Sequence, residues 1–384
     1  MNNYNTAEVA QKIIETIRTE YQELNKLNVM VLGKTGVGKS TLINNMFMEN
    51  IVETGSGKPV TQNIRKVTKT NFPLAIYDTP GLELGGEHDI ENLLNQVIDI
   101  IKKGVSSGDV GEAIHCIWYC INTQSDRFEQ TEIDFLKNFL NKTSIYDIPI
   151  IIVLTKSFSI KTARQMKWEI EKENLPIVGI VPVLAENYEL DDVYTVKSFG
   201  LDTLASMMNS VIPDTVKKTF VAIQSANLEL KIEKAHAVVI ASASAAAATG
   251  AVPIPFSDAA VLIPEQVAML AGITACFGLQ LEKATLTAIV SSTIGTAGTT
   301  VLGKSIVSGL LKCIPGVGSV VGGAISAATA GALTVALGEA YIILLTKICK
   351  GDMKIEDLDT KKGRATIKDI FIEQLKVKRS EIGR

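Results

Sequence analysis

The residues best suited to chemistry in this chain form one stretch, Gly33-Lys34-Thr35-Gly36-Val37-Gly38-Lys39-Ser40-Thr41. Its spacing is G-x-x-x-x-G-K-[ST]. An apolar run, Val29-Met30-Val31-Leu32, precedes it, and a helix-like run from Leu42 to Phe47 follows. A strand that turns through glycines into a helix aims successive backbone N–H groups at one point, and the helix adds its positive N-terminal end. Such a cradle suits a polyphosphate. Gly33, Thr35, Gly36, Val37, Gly38 and Thr41 are expected to line it. The Lys39 ammonium would reach the β- and γ-phosphates, and the Ser40 hydroxyl would bind Mg2+.

Three further stretches extend the site. Asp78-Thr79-Pro80-Gly81 follows the apolar run Leu74-Ala75-Ile76-Tyr77. An aspartate ending a strand beside the phosphate loop can hold Mg2+, usually through water. The Gly81 N–H can meet a γ-phosphate, so that hydrolysis releases the loop after it. Between the first helix and the next strand, Gly55 to Thr61 offers Thr61 as the hydroxyl that closes over the metal, with Thr54, Ser56 and Thr68 as rivals. Finally, Ile150 to Leu154 runs into Thr155-Lys156-Ser157-Phe158, at the place of a base-reading [NT]-K-x-D motif.

Taken in order, Gly33–Ser40, Thr61, Asp78–Gly81, Thr155-Lys156 and Val183-Leu184-Ala185 resemble the five motifs of the translation-factor-related, Era-like GTPases. The wider pattern resembles bacterial G-domain proteins with an Ala/Gly-rich helical C-terminal domain of unknown function. Pro253-Ile254-Pro255-Phe256-Ser257-Asp258, Gln266-Val267-Ala268-Met269 and Ile314-Pro315-Gly316-Val317-Gly318 carry that likeness. The resemblance implies an α/β P-loop NTPase domain, mostly parallel in its sheet with helices on both faces, followed by an all-α domain. It implies a protein that binds GTP, hydrolyses it with Mg2+, and acts as a nucleotide-dependent switch on the helical domain. Lys39, Thr61 and Gly81 would be catalytic. Ser40, Thr61 and Asp78 would hold Mg2+, and Thr155, Lys156 and Ala185 would meet the base. An ATPase, a membrane-associated dynamin-like or immunity-GTPase-like mechanoenzyme, and a nucleotide-binding scaffold with negligible turnover stand as alternatives. A homodimer through the G domain, and a membrane or protein partner on the C-terminal helices, are the partners left open.

Three positions depart from the family pattern. Phe158 stands where the guanine-reading aspartate belongs, and an apolar side chain accepts no hydrogen bond from a base. Glu186 is a weak substitute. Leu82 follows Gly81, where some GTPases place a water-orienting glutamine, so intrinsic hydrolysis should be slow. Glu83, Glu87, His88 or a second protomer could help, and Arg65 and Arg127 are candidate arginine donors. Gly36 replaces the asparagine that some Era-like enzymes use for potassium, and no potassium activation is expected.

These residues need elements to position them. Alternating strand-like and helix-like runs from Asn28 to Ile212 predict the G domain, with strands over Asn28–Leu32, Arg65–Thr70, Leu74–Tyr77, Ala113–Ile121, Pro149–Leu154 and Ile177–Leu184. The apolar spacing of Val9, Ile13, Ile17 and Tyr21 predicts one amphipathic helix before it, packed on a neighbouring domain. The expected division is therefore 1–26, 27–212 and 213–384, with Pro213-Asp214 at the second boundary. After it the chain turns Ala-, Gly-, Val- and Ile-rich with few charges, which reads as four or five tightly packed helices. A charged tail then ends in a helix carrying Ile367, Ile370 and Phe371.

Composition narrows the partners and compartment. The 384 residues allow two or three domains. A net charge of −3 gives no bulk attraction to nucleic acid. The five cysteines show no zinc spacing, and the start has no signal-peptide pattern, so a reducing cytoplasm is expected. Thr285–Gly303 and Cys313–Gly338 are uncharged and long enough for a bilayer. Their Ser, Thr, Gly and Ala content instead favours a soluble or peripherally attached bundle over spanning helices.

Overall fold

The computed structural model describes residues 6–51, 56–59, 64–79, 87–124, 130–190, 194–250, 258–279, 281–294 and 327–382. They form two compact units. One is Leu24–Asn227; the other joins the described residues of Met1–Glu23 to those of Leu228–Arg384.

In chain order, helix α1 (Thr6–Gln22) precedes strand β1 (Leu27–Leu32) and helix α2 (Lys39–Met46). Strands β2 (Ser56–Pro59), β3 (Arg65–Thr68) and β4 (Leu74–Asp78) follow, then α3 (Glu87–Ser107) and β5 (Cys116–Asn122). Next come α4 (Gln130–Thr143), β6 (Ile150–Thr155), α5 (Ile160–Glu171) and β7 (Gly179–Pro182). A short hairpin, β8 (Tyr188–Leu190) and β9 (Tyr194–Val196), leads into α6 (Leu201–Val211) and α7 (Asp214–Ile223).

Seven strands make one sheet in the order β2-β3-β4-β1-β5-β6-β7. The pairs from β4 through β7 are parallel, and β2 and β3 add an antiparallel edge. The central strands are continuous apolar runs because both of their faces are covered: all six residues of β1 and all six of β6 are buried. On one face Met30, Leu32, Tyr119 and Ile152 meet Leu94, Ile101, Leu136 and Phe139 from α3 and α4. Elsewhere α7 packs on β1, and α6 packs on α2 and β7. From β1 the chain first builds one side of the sheet and then crosses to the other. The carboxyl ends beside β1 are therefore the switch point where such sheets bind ligands.

Two strand features differ from the sequence reading. Ser56–Pro59, expected as part of a loop, is a strand paired with β3, Ser56 opposite Thr68 and Pro59 opposite Arg65. Ser-Gly-Lys-Pro has almost no intrinsic strand preference, and only pairing at a sheet edge makes it one. The β8–β9 hairpin, three residues a side, was likewise invisible.

The first unit closes after Asn227, beyond the expected boundary at Ile212. Pro213 sits at the N-cap of α7. Thr219 Oγ1 donates to Asn25 O at 2.7 Å, Met48 N to Ile223 O at 2.9 Å, and Ser225 N to Met46 O at 2.8 Å. These bonds stitch 213–227 to the G domain.

The second unit contains α8 (Leu228–Gly250), α9 (Asp258–Phe277), α10 (Lys283–Ile294), α11 (Ala327–Cys349) and α12 (Lys361–Ile382). Helices α8 and α11 pack together, α9 lies on both, and α12 lies on α10 and α11. Helix α1 belongs here: Val9, Ala10, Ile13 and Ile17 are buried, and it packs on α9 and α10. Small residues allow close approach. A Cβ added at Gly338 would lie 2.4 Å from Val239 Cγ2, so α8 and α11 could not keep their spacing around a larger side chain. In α12, Ile367, Ile370 and Phe371 are buried. The stretches 253–257 and 314–318, and residues 295–303 and 313–326 of the two uncharged runs, lie outside the described residues. Among the described residues no helix is long and apolar enough to cross a membrane.

Candidate functional site

The Gly-rich loop leaves the buried end of β1 and enters α2. Gly33 passes so close to β5 that an added Cβ would lie 2.5 Å from the Cys120 carbonyl oxygen. Gly38, the N-cap of α2, has φ 99° and ψ 23° in the left-handed region, where a Cβ is disfavoured. Gly38 makes no side-chain cap, so the first N–H groups of α2 can meet a ligand in the loop. Thr35, Gly36 and Ser40 are exposed, Thr41 is half-buried and Val37 is buried. Lys39 folds back over the loop, Nζ donating to Gly33 O at 2.9 Å and Lys34 O at 3.3 Å.

Asp78 ends β4, which lies directly beside β1. Its Oδ1 is buried and has no hydrogen-bond partner among the described residues. Burial pushes its carboxyl pKa up, while the charges of Lys39 and Arg65 pull it down. Arg65 stands opposite Asp78 in the β3–β4 register.

The Thr155-Lys156 stretch is braced onto the same loop. Thr155 Oγ1 is 2.6 Å from Val37 O and 3.1 Å from Ile121 O. Lys156 has φ 52°, and its stem runs past Gly38, where an added Cβ would stand 3.8 Å from Lys156 Cε. Ser157 N donates to Val183 O at 3.2 Å, tying the stretch to the end of β7. Ala185 follows two residues later and is half-buried. Phe158 packs against Tyr188 of β8 with ring centroids 4.1 Å apart and planes at 44°.

The structure thus gathers Gly33–Thr41, Asp78, Thr155, Lys156 and Ala185 around the carboxyl ends of neighbouring strands. Thr61, Gly81, Leu82, Glu83 and Arg127 lie outside the described residues; Glu87 and His88 fall in the first turn of α3. Two supports had no sequence signal. Glu132 of α4 accepts a hydrogen bond from Tyr119 Oη at 3.3 Å and pairs with Lys34 of the loop at 3.4 Å. Thr123 Oγ1 donates to Lys156 O at 2.8 Å. A lone glutamate or threonine in a polar stretch carries no spacing that marks it; only the fold brings it to the loop.

A mostly parallel sheet whose central strand ends in this loop is the P-loop nucleotide-binding fold. Comparison with known families narrows the class. Residues 28–156 match the family described as 50S ribosome-binding GTPase, and residues 217–375 match one described as Domain of unknown function (DUF697). The chain thus carries a GTPase domain over 28–156 and a C-terminal domain of unknown function over 217–375.

Among its relatives, "Translocase of chloroplast 108, chloroplastic" of Physcomitrium patens is 39% identical over 79 residues, 20% of this chain and 8% of that protein. "GTPase Era" of Pseudomonas fluorescens is 29% identical over 191 residues, 48% of this chain and 55% of that protein. The chain thus spans at most about half the length of these two relatives. A crystal structure of a probable GTP-binding protein engB shares 20% identity, with a TM-score of 0.33, over 48% of this chain and 98% of that one.

Proposed function

We propose that the protein binds GTP with Mg2+ at the Gly33–Thr41 loop and hydrolyses it slowly, and that the nucleotide state acts as a switch on the C-terminal helical domain. The observation that carries the reading is a lysine ammonium held by its own loop's carbonyls and acting electrostatically on a buried aspartate whose Oδ1 has no hydrogen-bond partner among the described residues. Lys39 is the cation for the β- and γ-phosphates. Thr155, Lys156 and Ala185 surround the base, and Gly81 meets the γ-phosphate.

The residues present fit Mg2+. Asp78 offers a carboxylate oxygen with no hydrogen-bond partner among the described residues, and Ser40 stands at the start of α2, giving the hard oxygen donors this ion requires. Thr61 would complete the set. When bound, the ion would neutralise charge on the β- and γ-phosphates. The chain's own part is to hold the phosphates by backbone N–H groups and Lys39, and to keep the base end fixed through the Thr155 brace. Leu82 cannot orient water, which supports slow intrinsic turnover. A second G domain, or a protein or membrane surface on the helical domain, would then be the accelerator.

Replacing Lys39 tests this. Lys39→Ala is expected to lower GTP turnover by at least about a hundredfold, as losing a transition-state cation does, while the circular dichroism spectrum stays unchanged. Unaltered GTP affinity and turnover in a folded variant would contradict the assignment.

A further inference from the structure

The base end of the site is built differently from its phosphate end. Thr155 and Lys156 fix the loop: the hydroxyl bonds Val37 O, and the lysine stem lies along Gly38. Two residues on, the position that should offer a carboxylate holds Phe158. Its ring is engaged by Tyr188 at 4.1 Å between centroids. The next chain segment brings Ala185, whose N–H makes no backbone hydrogen bond among the described residues. Glu186 beside it is exposed. An exposed carboxylate keeps its water and gains little by turning to a base.

Two polar edges distinguish purines here. A backbone N–H donates to a 6-oxo group and finds no acceptor in a 6-amino group. A carboxylate is needed to accept hydrogen bonds from guanine's ring N–H and 2-amino group. In the site proposed above, Ala185 N–H would supply the first device, and Phe158 with Tyr188 stands in place of the second. We infer that the site selects 6-oxopurine nucleoside triphosphates without reading the 2-amino group, so that ITP is as good a ligand as GTP, with Phe158 and Tyr188 as an aromatic wall beside the base. This rests on the nucleotide site proposed above and sets its substrate class. Sites that hydrogen-bond a substrate group commonly reject an analogue lacking it by about 10^4-fold, and that discrimination is what Phe158 forgoes.

Competition titrations of the full-length protein with GTP, ITP and ATP in Mg2+ decide the matter. Affinities for GTP and ITP are expected within about threefold of each other, with ATP at least about tenfold weaker. In Phe158→Asp, the preference for GTP over ITP should rise at least about tenfold, because the new carboxylate can accept from the 2-amino group. Should the wild-type protein already prefer GTP over ITP by about tenfold or more, the inference is overturned, and Glu186→Gln would then show whether that residue does the reading. ATP binding as tight as GTP would overturn the role of Ala185. If none of the three triphosphates binds, the nucleotide site itself is wrong; tight binding with strong guanine preference defeats only the inference drawn here.

Discussion

Asp78 sits under opposing demands. Burial disfavours its charged form, and Lys39 and Arg65 favour it; burial dominates, so the carboxyl pKa is raised. In the unfolded chain an aspartate gives up its proton near about pH 3.9, before the folded group does. Folding stability is therefore lost as pH rises through the window above that value, and Asp78 costs stability at neutral pH. Asp78→Asn should raise the thermal midpoint of the nucleotide-free protein at pH 7 and leave it unchanged in strong acid. It should also weaken Mg2+-dependent GTP binding at least about tenfold. A lowered midpoint with intact binding would contradict this balance. Lys231, in the helical unit, gives the opposite pH dependence. It is buried, donates to Cys276 O at 3.3 Å and Phe277 O at 3.2 Å, and burial lowers its pKa to about 7. An unfolded lysine holds its proton up to about pH 10.4, so stability falls as pH drops from there toward 7 and then levels off. The thermal midpoint should climb between pH 7 and pH 9, and Lys231→Met should flatten that climb; an equal slope in both proteins would refute it. Residue types at fixed spacing marked Lys39, Ser40, Asp78 and Thr155 as candidates in the sequence, and the fold brings them to neighbouring strand ends. Lys231 was not marked, because nothing in a helical repeat says which lysine will be turned inward.

At the level of elements, the strand–loop–helix unit around Gly33–Thr41 was legible since apolar run, glycines and helix all lie in one short stretch. The same holds for β4, β5 and β6, whose buried faces leave continuous apolar runs. Elements held only by a neighbour were not legible. Strand β2 depends on β3, and the β8–β9 hairpin that supplies Tyr188 has too few residues to show a period. The compact unit runs on to Asn227 past Pro213, because a proline suits the start of a helix as well as the end of a domain, whereas the family match of the second domain begins at residue 217. Thr155 shows how an element transmits position, since one hydroxyl joins the end of β6 to the phosphate loop. Thr155→Val keeps the shape but leaves Val37 O without this donor. The expected loss is about 1–3 kcal/mol of stability, with nucleotide affinity reduced about tenfold as the loop loosens. Chemical denaturation and a GTP titration check it; wild-type affinity would mean that the loop holds its form without the brace.

Over the whole molecule, the chain separates into a unit with polar strand ends gathered around a phosphate loop and a unit built of close helix contacts. The first was readable as a GTPase fold because catalytic spacing and strand periodicity agree. The second was readable only as a tight bundle: an Ala- and Gly-rich helix packs well on several faces, so composition does not say which neighbours it takes. That α1 joins the far end of the chain could not be foreseen from its amphipathic face alone. The most direct test of the account is a calorimetric titration of the intact protein with a non-hydrolysable GTP analogue, with and without Mg2+. The account predicts one saturable site per chain with micromolar or tighter affinity, strengthened by Mg2+ and lost in Lys39→Ala. Absence of saturable binding, or binding that ignores both the ion and the lysine, would contradict it.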